Sequence, residues 1–563
     1  VSSTANSSGG LARLIWPHVR PRVPAFAAAL VLALAIAGLS AAQPLLTRMV
    51  IDQGLIGRQF PRLLLGCGGM LGLATLGFMV GAIHRFIYTR ASGRTLFSLR
   101  RRVYEHLLKV SPRRLAGNAV GDLTSRLDGD IAEVQRFGTD AVASSVSNVL
   151  SLLAVTAVML GLSWRLTVVV AALVPLQLLV RHHARPRIEA TTRALRGSAS
   201  QLSAFLIETL AGVRQVQSAG AERFEADRLE ALGEAYLDRV LRQQWVTYVT
   251  GAASALLGHI ATAATFVIGG WYVFHGDLSV GTLVAFAAYL GRSGGSAASL
   301  TGLYGGYQRA RVSLGRVEEL IALPAVPESG DAIALPADAR GALEFQAVTV
   351  RAADGRALLD SVSLDIPAGS KLLLRGISGA GKSTLADCLR RFVDPSAGRI
   401  TLDGRPLTDY RLADLRRRVV VVEHSPVLFR GSILDNLRYG HDESSEEEAL
   451  AAARRVGLDE FIGTLPEGYA TRVGEGGVGL STGQCQRIAI ARATLGRPLI
   501  VVLDEAMSGL DVASTQALHR ALDEAFGDRT RLVITHRDAD VEQSDRQVHL
   551  EAGRIRSSTG MIA

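Results

Sequence analysis

Gly376-Ile-Ser-Gly-Ala-Gly-Lys-Ser-Thr384 follows the apolar run 371–375 and precedes a helix-like stretch. It fits the pattern G-x-x-x-x-G-K-[ST], in which glycines let backbone N–H groups cradle phosphates and a helix N-terminus adds a favourable dipole. Gly376, Ser378, Gly379, Gly381 and Thr384 belong to the cradle, Lys382 reaches the outer phosphates, and the Ser383 hydroxyl is placed to bind Mg2+. A second pattern agrees. Residues 499–505 read LIVVLDE, a buried-strand run ending in two carboxylates. Asp504 is placed to hold Mg2+, directly or through water, and Glu505 to polarise an attacking water as general base. His536 follows the apolar run 531–535, where it would touch the terminal phosphate or hold Glu505 and the water. A plain surface histidine is the competing reading there.

Such residues need strands and helices to hold them. Apolar runs at 343–345, 371–375, 419–423, 499–503 and 531–535 alternate with helical stretches, which predicts an α/β core over 341–563. Residues 322–340 carry three prolines and many small residues, the composition of a linker.

Residues 1–321 are of another kind. The chain has 563 residues, 48% hydrophobic and 20% charged, which excludes intrinsic disorder. Six stretches approach the length that spans a bilayer: about 24–46, 63–83, 141–163, 166–181, 246–274 and 278–305. The fourth is short. The sixth is rich in glycine and serine, which suits close helix packing or a cavity wall. The net charge is +9, and of 61 basic residues only Lys109, Lys371 and Lys382 are lysines. The arginines crowd beside apolar runs without interleaved aromatics, so they read as membrane topology and not as nucleic-acid binding. The arginine-rich stretches 85–136 and 181–242 are expected in the cytosol as two long helical hairpins, with both termini on the same side. Short outer connections are expected at 47–61, 163–165 and 275–277, with Trp164, Trp271 and Tyr272 in the interfacial belt. His259 lies mid-span, a functional candidate whose plainer role is a bond to a neighbouring helix. The spans hold no Asp/Glu chain of the kind a proton-coupled pump needs, so the energy source is expected in the soluble half. Three cysteines without CxxC spacing support neither a zinc site nor a disulfide framework.

Further motifs carry a resemblance. Leu480-Ser-Thr-Gly-Gln484, just upstream of LIVVLDE, looks like the LSGGQ signature of ATP-binding-cassette (ABC) proteins. Ser508-Gly-Leu-Asp511 resembles their D-loop, and Thr471-Arg-Val-Gly-Glu475 the X-loop of exporters. In the membrane half, Gly121-Asp122-Leu123…Arg126, Glu208…Gly212 and Val312-Ser-Leu-Gly-Arg316 are similar to the exporter pattern. The chain thus resembles an ABC exporter half-transporter of the type IV exporter fold over nearly its whole length. The fold expected is a polytopic α-helical membrane domain of six helices (1–321), a linker (322–340) and an α/β P-loop NTPase domain of ABC type (341–563).

The resemblance implies ATP and Mg2+ as cofactors and a second copy of the chain as partner, a different partner half remaining open. ATP would lie between two chains, the P-loop of one facing Ser481, Gly483 and Gln484 of the other. Asp511 would act in the D-loop, while Asp122 and Glu208 would sit at the hairpin tips that transmit motion. Two positions depart from the family pattern. Ala352 stands where an aromatic usually stacks on adenine, which implies looser base selectivity. His424 stands at the Q-loop glutamine, where imidazole can still reach Mg2+-bound water and would make coupling pH-sensitive. The function implied is ATP-driven export of an amphipathic or hydrophobic peptide, lipid or drug across the cytoplasmic (inner) membrane of a bacterium, with membrane lipid as the second partner and nucleic acid excluded. The alternative is an ATP-gated channel or a membrane-bound regulatory ATPase.

Overall fold

The computed structural model describes residues 7–352, 354–441, 443–474, 479–506, 512–535 and 544–560. The chain divides into two compact units, one of residues 1–104 and 121–320, the other of residues 105–120 and 321–563.

The first unit is helical. Helix α1 (Ser7–Val19) leads to α2 (Val23–Met49) and α3 (Phe60–Leu107). After the segment that belongs to the other unit, which includes α4 (Pro112–Leu115), come α5 (Val120–Ser125), α6 (Ile131–Gln135), α7 (Val142–Ala211), α8 (Val213–Ser218), α9 (Glu222–Phe274) and α10 (Val280–Ala322). The 48 residues of α3 extend about 72 Å at about 1.5 Å per residue, far more than a bilayer needs. Leu64, Leu65, Leu71, Phe78 and Met79 on this helix are all exposed, as a helix that is apolar all round requires lipid around it. Among the described residues four runs are long and apolar enough to cross a membrane: Arg13–Ile56, Phe60–Leu107, Val120–Ala211 and Glu222–Phe274.

The third run contains two of the expected spans. Ser163 leaves helical conformation (φ −164°, ψ 104°) and divides α7 in two. Its hydroxyl accepts from the Leu166 amide at 3.4 Å, in the manner of a helix N-cap. Beside it the Arg165 guanidinium covers the Trp164 and Tyr272 rings and pairs with Asp277 at 3.4 Å. The sixth expected span lies on α10, which is not among those four runs. It contains Arg292, whose guanidinium donates to the Ser40 carbonyl and to Gln43 Oε1 (2.7 Å) on α2, while the Tyr289 hydroxyl donates to the Ala41 carbonyl. These bonds spend polar groups on tying α10 to α2. His259 makes no hydrogen bond among the described residues and lies on an exposed face of α9, so the expected bond to a neighbouring helix is not formed within the chain.

The second unit is built on two sheets. An antiparallel sheet has the order β2–β1–β4–β5, with β1 (Leu343–Arg351), β2 (Ala357–Ile366), β4 (Ala397–Leu402) and β5 (Arg405–Pro406). The larger sheet has the order β12–β11–β3–β10–β9–β6 and contains β3 (Lys371–Arg375), β6 (Val419–Val422), β9 (Ile500–Asp504), β10 (Thr530–Ile534), β11 (Arg546–Glu551) and β12 (Arg554–Gly560). Only β12 in it runs antiparallel. A small pair joins β7 (Gly431–Ser432) to β8 (Arg472–Val473). Strands β3, β9 and β10 are buried along nearly their whole length, so parallel pairing under helices demands continuous apolar runs. The helices are α11 (Lys382–Leu389), α12 (Leu412–Arg418), α13 (Ile433–Arg438), α14 (Glu446–Arg455), α15 (Asp459–Gly463), α16 (Thr482–Leu495) and α17 (Val512–Phe526).

Candidate functional site

Strand β3 ends at Arg375, and the chain turns through residues 376–381 into α11. A Cβ on Gly376 would stand 2.3 Å from the Leu550 carbonyl oxygen. Gly381 has φ +108°, and a Cβ there would stand 2.6 Å from the Leu358 carbonyl oxygen. Lys382 Nζ donates back to the carbonyls of Gly376 (2.7 Å) and Ile377 (3.1 Å). The ammonium therefore sits inside its own loop, where phosphate oxygens would replace neutral carbonyls with charged acceptors.

Parallel pairing of β9 and β10 with β3 carries Asp504 to the same edge as the loop. Ser383 Oγ donates to Asp504 Oδ2 at 3.1 Å. The Asp504 carboxyl is pushed above its ordinary range, chiefly by burial. The Ser383 bond pulls it down, the Glu505 charge pushes it up, and Lys382 and Glu423 oppose one another. A cation against this carboxylate would relieve the cost of its charge, and a hydroxyl with a carboxylate is the oxygen set that suits Mg2+. Among the described residues no group of three or more His, Cys, Asp or Glu forms a metal cage. Mg2+ that arrives with a nucleotide needs none, because phosphates and waters complete its shell.

Glu505 follows directly, with φ +51°, a conformation that costs energy in a non-glycine residue. Its amide donates to the Ile534 carbonyl at 2.9 Å, which fixes the turn against β10. His424 Nδ1 lies 3.4 Å from the Glu505 carbonyl oxygen, and the His424 carbonyl accepts from buried Gln486 at 3.1 Å. The structure thus gathers Lys382, Ser383, Asp504, Glu505 and His424.

The signature residues are held separately. Ser481 caps α16: its hydroxyl accepts from the Gln484 amide at 3.2 Å, while Gln484 Oε1 accepts from the Ser481 amide at 2.7 Å. Gly483 lies in the first turn of that helix. No hydrogen bond or ion pair among the described residues joins residues 480–484 to the loop at 376–381. His536, Asp511 and Glu475 lie outside the described residues. Asp122 pairs with Arg126 at 2.9 Å, and Arg126 also reaches Glu319 at 2.9 Å. Glu208 is exposed, one turn before the helix end at Gly212. The Ala352 amide donates to the Arg356 carbonyl at 2.8 Å, closing the turn after β1 with no ring to offer a base.

One residue escaped the sequence reading. Arg113 on α4 donates to Thr384 Oγ1 at 2.7 Å and lies 3.9 Å from Asp387, both on the helix that begins with Lys382. Ser111 adds a bond from its hydroxyl to the Phe392 carbonyl. The available signal was Ser111-Pro112, since proline favours a first helical turn, at the centre of an arginine-rich stretch.

Comparison with known proteins agrees with this geometry. Residues 26–292 match the family profile described as ABC transporter transmembrane region, and residues 359–508 match the profile described as ABC transporter. A putative multidrug export ATP-binding/permease protein of Bacillus subtilis is 32% identical over 466 residues, covering 82% of this chain and 80% of that protein. An ATP-dependent lipid A-core flippase of Ralstonia nicotianae is 30% identical over 561 residues, covering 98% of this chain and 93% of that one. The solved structure of a bacterial Atm1-family ABC exporter with ATP bound superimposes with a TM-score of 0.78 at 26% identity, over 96% of this chain and 95% of that chain.

Proposed function

The chain belongs to the ABC transporters, and from that premise we propose how it works: two copies assemble, and each site takes its P-loop from one chain and its signature residues from the other. The protein is an ATP-driven exporter of hydrophobic or amphipathic substrates, an ATPase coupled to transport. The observation that carries this reading is a P-loop beside Ser383, Asp504 and Glu505 in one chain with membrane-length apolar helices. The use of Ser481 as a helix cap, without a bond to its own P-loop, favours pairing. Arginine-rich hairpins favour a cytosolic ATPase unit at the inner membrane of a bacterium. The multidrug and lipid relatives favour a drug or a lipid over a peptide as cargo.

In this mechanism the backbone amides of residues 376–384 bind the phosphates, and Lys382 leaves the carbonyls of Gly376 and Ile377 for the outer phosphate oxygens. Ser383 and Asp504 would hold Mg2+, which neutralises phosphate charge when bound. Glu505 accepts a proton from the water that attacks the terminal phosphorus, and ADP leaves. Ser481 and the Gly483 amide of the partner complete the shell around the terminal phosphate. Closure of the pair opens the membrane halves outward, and hydrolysis resets them.

The test is ATP hydrolysis by the purified chain in lipid, across a panel of drugs, lipids and peptides, together with ATP-dependent accumulation in inverted vesicles. Stimulation by one class with accumulation of that class supports export. Hydrolysis with no accumulation of any compound would mark a channel or a regulatory ATPase instead.

Two variants probe the support of the site. Arg113→Ala removes a charge-assisted bond worth about 1.5–3 kcal/mol from the P-loop helix. Substrate stimulation of hydrolysis should fall several-fold while basal hydrolysis falls less; an unchanged ratio would free Arg113 of any part in coupling. His424→Gln should change the dependence of hydrolysis on the concentration of transported substrate, because the ring stands 3.4 Å from the Glu505 carbonyl oxygen and an amide would set that contact differently. Superimposable wild-type and variant profiles would remove His424 from the coupling.

A further inference from the structure

The helical unit contains an open cavity of about 560 Å³, within the range of small-molecule sites. It lies between α2 at Phe26–Ala33, α3 at His84 and Tyr88, the segment 133–148, and α10 at Leu303–Arg309. If the arginine-rich hairpins are cytosolic, this level is that of the inner leaflet.

Two carboxylates line it, and they differ. Glu133 pairs with both Arg309 at 2.7 Å and Arg136 at 3.1 Å, so these three side chains together carry one net positive charge. Asp140 has no ion pair among the described residues. Three neutral hydroxyls converge on its Oδ1, those of Tyr88 (2.5 Å), Thr139 (2.8 Å) and Ser92 (3.0 Å), with the Gln135 amide nitrogen at 3.3 Å. Its Oδ2 accepts no hydrogen bond among the described residues. Gln135 also binds Ser92 and Thr139, both at 2.6 Å, so the network is closed on itself and locks the carboxylate in place. A charge at membrane depth is costly unless something of opposite sign meets it.

The walls next to Asp140 are aromatic. Phe26 meets Tyr88 edge-on at 6.0 Å, and His84 stacks on Tyr88 at 5.9 Å. Phe137 adds another ring to the lining. A fixed carboxylate oxygen beside aromatic rings is the chemistry that recognises a large organic cation. We propose that this cavity binds the cationic head of an amphipathic substrate, an organic ammonium or phosphonium, with Asp140 as the charge-recognising residue. The inference rests on the exporter reading and narrows its substrate class.

Tetraphenylphosphonium and tetraphenylborate have nearly the same size and shape and opposite charge, so they isolate the role of charge. Binding of each to the full chain in lipid nanodiscs, without nucleotide, is measured by equilibrium dialysis. The wild type should bind the phosphonium at least about tenfold more tightly than the borate. Asp140→Asn keeps an acceptor for the three hydroxyls and removes the charge. It should weaken the phosphonium about tenfold and leave the borate unchanged. If that variant fails to fold, Ala33→Phe narrows the cavity from the α2 side without touching the network, and it should also weaken the phosphonium. Equal binding of the two ions by the wild type, equal loss of both in Asp140→Asn, or full phosphonium binding by Ala33→Phe would overturn the site. Because no ATP is present, these results stand apart from export itself. Phosphonium binding without ATP-dependent accumulation of any compound would sink the exporter reading and leave the cation site.

Discussion

Glu505→Gln should stop ATP turnover while leaving ATP binding intact. Loss of a positioned general base costs roughly 10²–10⁴-fold in rate, and glutamine matches glutamate in shape. The substitution changes neither the φ of +51° at this position nor the amide bond to the Ile534 carbonyl, so the turn that aims the side chain should survive. Lys382 and Ser383, which hold the phosphates, are untouched. The variant should therefore trap ATP: nucleotide affinity stays near wild type or rises, and hydrolysis in lipid falls at least about a hundredfold. More than a tenth of wild-type hydrolysis would mean that another group takes the proton. His424, 3.4 Å from the Glu505 carbonyl oxygen, would then be the first to replace.

Much of the nucleotide site was legible because its chemistry is local in sequence. The cradle, Lys382 and Ser383 fall within nine consecutive residues, and Asp504 and Glu505 end one strand. The strands behind them were legible for a related reason. Buried parallel strands such as β3, β9 and β10 must be apolar on both faces, so each stands out as a run. The antiparallel sheet is quieter. Strand β2 alternates buried and exposed positions, and ALLDSVSLDI reads as weakly as a loop.

Contacts distant in sequence were not legible. Arg113 reaches Thr384 across 271 residues, and no local pattern announces that pair. Arg292 was hidden by a glycine- and serine-rich neighbourhood that drew attention to packing, whereas its charge is met by Ser40 and Gln43 some 250 positions earlier. Asp140 was passed over because it sits at the start of a span, where an acid looks like ordinary interface polarity. What sets it apart is that its donors come from α3 as well as from its own segment, while Arg136 and Arg309 both pair with Glu133 and neither with Asp140. Membrane helices bring together side chains from different spans, and hydropathy carries no information about which faces meet.

Gly381→Ala tests how far the backbone of the loop, and not its side chains, makes the nucleotide site. At φ +108° an alanine is strained by roughly 1–2 kcal/mol. Its Cβ would also stand 2.6 Å from the Leu358 carbonyl oxygen and 2.9 Å from Leu359 Cδ2. Those atoms belong to β2, where Leu359 is paired with Val350 of β1, so they cannot retreat without breaking the ladder. The loop must move instead, and Lys382 and Ser383 move with it. ATP affinity should fall at least about tenfold, since each 1.4 kcal/mol is about tenfold. Thermal stability without nucleotide should fall as well. Gly379→Ala provides the contrast. That glycine also has positive φ, +81°, but nothing lies within 4 Å of a Cβ placed there. Its alanine variant should melt closer to wild type without nucleotide and still bind ATP more weakly, because the open side of the loop is where phosphate would approach. If both variants melted like wild type and bound ATP normally, the glycines would be dispensable and the loop could not be the phosphate cradle. If Gly379→Ala melted lower than Gly381→Ala, the packing of the loop against β2 would be misassigned.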